Sequence, residues 1–341
     1  MPEKSHLRFP VKSTLILSVT GFFAIFFPIL LLNLGVLNAY WVFILTMGGV
    51  NAIMAISVNT IVGITGQLSL GQAGFLTIGA YACIFFHLDV GLPLPLAAIC
   101  AVLLTGIAGF LIGFPVLKLS GDYLAVVTLG FGEIIRVVFI NLPSITGGPN
   151  GRPFVTTVLL NNTLAFIIVT LTLVIVLALL QNFLRSSYGR AIKACREDEI
   201  AANSCGINIF RYKMIGFVIA ALAAGIGGCL FALVIGIVQP ADANFLRSID
   251  YLIFVVFGGM GSYTGSVLAA YVLTVLQEFL RFLPRNIQDL RLIVYAVILI
   301  LIMIFRPKGL LGMKEFSFVH TWDTMVNSLK GKKSKGGPNH A

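Results

Sequence analysis

The chain has 341 residues, of which 58% are hydrophobic and only 11% charged, with 27 phenylalanines, whereas a soluble domain carries about 25% charged residues. That composition excludes a soluble globular protein and defines an integral membrane protein. The net charge of +10 fits the excess of Lys and Arg found on cytoplasmic loops, so no nucleic-acid partner is expected.

A bilayer's hydrocarbon core is about 30 Å thick, and about 20 apolar residues cross it as a helix. The alternating short segments of a membrane β-barrel do not occur, so the expected class is an all-α polytopic membrane protein. Residues 1–13 carry Lys4, Arg8 and Lys12 and precede an apolar run, Thr14 to Leu34. A basic flank before an apolar stretch resembles a secretory leader, but the run is too long and ends in no small-x-small motif. A retained first helix is expected.

Further runs follow at Tyr40 to Ile61, Gly71 to His87, Leu94 to Leu117, Asp122 to Leu142 and Thr163 to Leu184. Between the second and third, GITGQLSLGQAGFLTIGAY holds five glycines together with Gln67, Ser69 and Gln72. Two readings stand: a loop leading into a glycine-packed helix, or irregular backbone at membrane depth that contributes to a substrate path. In the fifth run Glu133 and Arg136 share a helix face at i, i+3. Charges inside a span are costly, which makes the pair either a functional contact or a mutual salt bridge. Glu278 and Arg281 repeat the spacing near a span end, where snorkelling suffices.

The segment YGRAIKACREDEIAANSCGI, Tyr188 to Ile207, is a polar island within 185–213. A helix from about Arg190 to Asn203 is expected, with small apolar residues on one side and Arg196, Glu197, Asp198 and Glu199 around the other. Gly206 would end it. Surface-lying membrane helices carry large apolar side chains and a basic face, so this alanine-rich, acidic one suits a protein groove better.

Beyond the island lie Met214 to Gly236, a short run Ile249 to Met260, Thr264 to Leu283 and Arg291 to Phe305. Gly216, Ala220, Ala224, Gly228, Ala232 and Gly236 form a ridge of small residues for close helix packing. The short run ends in GGMGSYTG, which predicts a broken helix turning inside the protein. Counted together, the runs give about ten transmembrane helices, some short or broken, in a domain spanning 14–305. Both termini are placed in the cytoplasm by their Lys and Arg. The tail, 306–341, is basic and suits anionic lipid.

Cys83, Cys100, Cys195, Cys205 and Cys229 show no C-x-x-C spacing and imply neither disulfide nor metal framework. No phosphate-cradling G-x-x-x-x-G-K-[ST], H-E-x-x-H or G-x-S-x-G occurs. No catalytic centre is expected, and if ATP drives the protein, another chain must hydrolyse it.

The polar island resembles the cytoplasmic coupling loop of ABC-transporter permeases of the branched-chain amino-acid, LivM-like family. With the glycine of the general E-A-A-x-x-x-G motif on Gly206, Ala201 and Ala202 fall in place, while Ile200 stands where that motif has Glu. Arg190, Arg196, Glu197, Asp198 and Glu199 match the G-R-A-x-x-A-x-R-E-D-E pattern of the amino-acid subfamily. LSGDYLAVVTLGFGEIIR, TGGPNG, VVFGGMGSYTGSVLAA and FRPKGLLG resemble it too, in order, from about Asn59 to Gly312. The resemblance implies a permease in the bacterial-type inner membrane. Its implied partners are a second, homologous permease subunit, two ABC ATPase subunits docked on the Arg190 to Gly206 segment, and an external solute-binding protein. The implied solute is leucine, isoleucine, valine or a related amino acid. Urea or short amides are the alternative cargo, and an ion-coupled secondary transporter the alternative class.

Overall fold

The computed structural model describes residues 38–281, except Ser120, Thr157 and Leu160, together with residues 293, 294, 296, 297, 300, 304, 309 and 310. The predicted first span, Thr14 to Leu34, lies outside the described residues, as do most of Arg291 to Phe305 and of the tail.

Unbroken apolar runs form helices because in lipid each backbone N–H and C=O must find its partner within its own segment. Helix α1, Ala39–Asn59, continues through a π-helical turn, Thr60–Ile64. Helix α2, Gln72–Ile84, ends likewise in a π-helical turn, Phe85–Asp89. Then come α3, Leu94–Val116, and α4, Asp122–Ile140. A short α5, Pro143–Thr146, and strand β1, Arg152–Pro153, precede α6, Asn162–Arg185. Two short helices follow, α7, Ser187–Glu197, and α8, Glu199–Ser204. Helix α9, Ile209–Ile235, leads to strand β2, Ile237–Val238, and a 3-10 turn, Pro240–Ala243. The last are α10, Phe245–Gly258, and α11, Tyr263–Arg281.

Six of these segments are long and apolar enough to cross a membrane: α1 with its π turn, α3, α4, α6, α9 and α11. The chain is thus an all-α polytopic membrane protein, and among the described residues the one strand pair is a two-residue antiparallel clip between β1 and β2. Helices α1 and α9 form the buried centre. Helix α9 packs on α2, α3 and α1, and α11 packs on α1 and α10. Helix α3 turns Leu96, Ile99, Leu103, Ile107, Phe110 and Leu111 outward, an uncharged face fit for lipid.

The small-residue ridge of α9 is what lets α2 approach. A Cβ at Gly228 would stand 2.0 Å from the Leu76 carbonyl oxygen, a backbone atom that cannot yield. Ala220 and Ala224 are fully buried, and a Cβ at Gly216 would meet the Thr65 methyl at 2.3 Å.

The polar island departs from the single helix expected over Arg190 to Asn203. It breaks at Asp198, whose backbone is extended at φ −155° and ψ 112° and whose carboxylate accepts the N–H groups of Ile200 and Ala201. Asp198 is therefore the N-cap of a second helix. Arg196, expected on the outer face with the acids, instead turns inward, because its guanidinium donates to the carbonyl of Gly63 at the end of α1.

Candidate functional site

Two of the apolar segments never run the full length of the bundle, and both begin in its interior. The chain leaves α1 at Ile64 and returns through Thr65 to Gly71 as non-helical backbone before α2 starts at Gln72. Ser57 Oγ donates to the Ala220 carbonyl at 2.7 Å and lies 3.0 Å from Gln72 Oε1. At about 1.5 Å per residue, Ser57 lies about 10 Å back along α1 from Ile64, so α2 starts at that depth. Helix α10 starts nearby, since Ser248 Oγ accepts the backbone N–H of Ala73 at 3.0 Å. Two interrupted helices thus meet, N-terminal ends together, inside the protein.

The connecting segment is the anomaly of the interior. Gln67, Ser69 and Gln72 are each at least 96% buried, with exposures of 4%, 2% and 0%. Both amide atoms of Gln67, Ser69 Oγ and Gln72 Nε2 find no hydrogen-bond partner among the described residues. Leaving one buried polar group unpaired costs about 1–3 kcal/mol. Other buried polar groups nearby are satisfied: Leu70 N–H donates to Thr128 Oγ1 at 3.0 Å, and Thr65 Oγ1 donates to the Ile61 carbonyl. Unpaired groups concentrated on one stretch of irregular backbone are what a water, an ion or a polar solute could satisfy.

Helix α4 borders this junction. A Cβ at Gly71 would stand 2.7 Å from the Thr128 carbonyl oxygen, and Gly132 faces the Ala243 carbonyl. Next to Gly132, Glu133 and Arg136 form a 2.6 Å ion pair with both side chains about one-third exposed. Glu133 lies about 16 Å along α4 from Asp122, deep within a span, where a charge exposed to lipid is costly. The two charges neutralise each other, which lowers that cost.

A second charged group stands beside it that the sequence reading passed over. Arg247 donates to Asp242 and to the Tyr251 hydroxyl at 3.1 Å, and its guanidinium stacks over the Phe231 ring at 4.3 Å. Asp250, half-buried on α10, lies within electrostatic reach of Arg247. The available signal was three charges, Asp242, Arg247 and Asp250, clustered at the head of a run too short to cross.

At the opposite end of the site, α7 and α8 cap the bundle. Ile192 and Cys195 are buried against it, and burial raises the Cys195 thiol above its ordinary pKa, with Lys213 pulling the other way. Glu199 pairs with Lys213 at 2.5 Å. Arg190 is exposed and held by the Arg185 carbonyl and Ser187 Oγ, Ala202 is buried, and Glu197, Ala201 and Gly206 are exposed. Gly206 takes φ +81° just after α8, as a helix-ending glycine does. Ile200 is 82% exposed, an apolar knob on a polar surface.

At the far end, Arg152 in β1 forms a two-pronged pair with Asp89 at 2.6 and 2.7 Å, which lowers the Asp89 pKa and raises that of Arg152. That clamp joins the loop after α4 to the end of α2's π turn.

Interrupted helices meeting around buried polar groups recur in membrane transport proteins. Comparison with known proteins makes the class specific: the family described as branched-chain amino acid transport system / permease component matches residues 40–303, and the chain belongs to it. Among curated relatives, the high-affinity branched-chain amino acid transport system permease protein LivM of Escherichia coli (strain K12) is 37% identical over 320 residues, 83% of this chain and 74% of the relative. The corresponding BraD protein of Pseudomonas aeruginosa is 26% identical, covering 80% of this chain and 94% of its own. LivH of Escherichia coli (strain K12) is 25% identical, covering 79% and 94%. No solved structure matches the chain.

Proposed function

We propose that this chain is the membrane-spanning permease subunit of an ATP-driven importer of branched-chain amino acids: leucine, isoleucine and valine. Family membership and the names of the relatives support the cargo. The observation that carries the mechanism is the stretch of unpaired polar groups at Gln67, Ser69 and Gln72. Solute passes this junction, where amides and a hydroxyl replace part of its hydration shell while Glu133, Arg136 and Asp250 give the adjoining face its polarity.

Selectivity rests with an external solute-binding protein, so the path itself holds solute weakly. The permease works beside a second, homologous subunit, and the presence of both LivM and LivH names among the relatives supports that pairing. The α7–α8 end faces the cytoplasm, as the concentration of Arg185, Arg190, Lys193, Arg196, Arg211 and Lys213 there supports. Two ATPase subunits serve the pair of permeases, one docking on the α7–α8 surface of this chain. ATP is used by those partners, and this chain binds no cofactor. With the first and last apolar runs included, the span count is about ten and both termini are cytoplasmic.

The test is Glu133→Gln in the assembled transporter. It is expected to lower amino-acid uptake several-fold while the ATPase and partner permease still co-purify. Uptake unchanged at equal expression would remove Glu133 from the path.

A further inference from the structure

Arg196 sits one position before the exposed Glu197 in the docking element, yet its guanidinium Nη1 donates to the Gly63 carbonyl, 133 residues earlier in the chain. Gly63 lies in the π turn that ends α1, where carbonyls have no further turn of helix to bond and the helix dipole presents its negative end. A cation there is favoured twice, as donor and as charge.

The seat is built for this side chain. Gly66 has φ +71°, and a Cβ on it would stand 2.9 Å from Arg196 Cγ. Gly261 has φ +97°, and a Cβ on it would stand 3.2 Å from Arg196 Nη1 and 3.3 Å from the Gly63 carbonyl oxygen. Arg196 therefore lies between two loops at once. The first, Thr65 to Gly71, carries Gln67 and Ser69 and leads to Gln72. The second, Gly259 to Ser262, is the turn that ends α10.

The Gly259 to Ser262 turn is also tied to the end of α1 by Asn59. Its Oδ1 accepts Gly261 N–H at 2.8 Å, and its Nδ2 donates to the Ser262 carbonyl at 2.8 Å and Ser266 Oγ at 2.9 Å. Asn59 is fully buried. The two segments that begin or end at this node meet again at the candidate path, where Ala73 N–H donates to Ser248 Oγ. The return loop and α10 thus share a common root at Arg196 and a common head at the polar junction.

We propose that Arg196 is the positioning residue through which movement of the docking element reaches the solute path. Shifting α7 pulls the guanidinium against the Gly63 carbonyl and the Gly261 turn, and so moves the return loop and α10 as one unit. Arg196 does not hold the ATPase; the outward knob Ile200 and its exposed neighbours do. The proposal rests on the docking reading given above.

The experiment uses the full transporter, with partner permease, ATPases and binding protein, and Arg196→Ala, Arg196→Gln, Arg196→Lys and Ile200→Glu in this chain. ATPase co-purification, ATP hydrolysis and leucine uptake are measured together, giving solute moved per ATP hydrolysed. Arg196→Ala is expected to keep its ATPase and unstimulated hydrolysis while solute moved per ATP falls at least tenfold. Arg196→Gln serves if the alanine variant does not accumulate. Arg196→Lys, whose ammonium can still donate to the Gly63 carbonyl, is expected to recover part of the loss. A ratio within twofold of the parent in Arg196→Ala or Arg196→Gln would overturn the proposal. So would loss of the ATPase from every Arg196 variant. Ile200→Glu separates the two readings: if it keeps both ATPase and transport, the docking reading falls, and this proposal with it.

Discussion

Gln67 carries two hydrogen-bonding atoms that nothing among the described residues satisfies. Replacing it by methionine, of similar volume, removes a desolvation penalty of about 1–3 kcal/mol without opening a cavity. Gln67→Met is therefore expected to raise the transporter's thermal midpoint, or at least hold it, while lowering uptake several-fold. A variant that is less stable and transports normally would show that the amide serves packing alone. The cysteines of the cap give a second residue-scale test. Burial holds the Cys195 thiol above its ordinary value of 9.0, and the thiolate is the reactive form. A raised pKa keeps the neutral thiol dominant until the pH climbs past it. A maleimide applied to the detergent-solubilised transporter at about pH 7.5 should modify the exposed Cys205 and spare the buried Cys195, whose labelling should rise with pH. Mass spectrometry of the labelled peptide reads the outcome, and equal labelling of both at about pH 7.5 would contradict the burial.

At the scale of elements, the apolar runs were legible because length and composition alone satisfy a bilayer. The run Ile249 to Met260 predicts a short helix, and α10 occupies Phe245–Gly258. What the runs could not disclose is depth. That α2 begins in the interior depends on Ser57 reaching Gln72 and on Ser248 reaching Ala73, contacts between distant parts of the chain. The α7–α8 segment shows the same limit. Its polar composition and terminal glycine were readable, but the break at Asp198 requires that carboxylate to choose backbone N–H groups over solvent, and Arg196 turns inward only because Gly63 is there to accept. The exposure of Ile200 follows from the break. A buried isoleucine is worth about 1.5–3 kcal/mol, so Ile200→Glu should weaken ATPase docking at least tenfold, measured by titrating detergent-solubilised permease with the ATPase. An unchanged affinity would place the docking surface elsewhere. Charge reversal at Asp198 or Glu199 is a poorer probe, since it would also remove a helix cap and the Lys213 ion pair.

For the whole molecule, the lipid-like face of α3 and the charged side bearing Glu133, Arg136 and Asp250 divide the surface into a part that suits hydrocarbon and a part that needs a partner or water. The proposed pairing with a second permease would cover such a side, and the interrupted helices beside it would supply the proposed route across. The direct measurement is leucine uptake into proteoliposomes holding this permease, its homologous partner and the ATPases, with binding protein outside and ATP enclosed. Uptake is expected to require both ATP and the binding protein, to resist dissipation of ion gradients, and to be competed by isoleucine and valine but not by urea. Uptake that persists without ATP and collapses with the ion gradient would contradict the assignment.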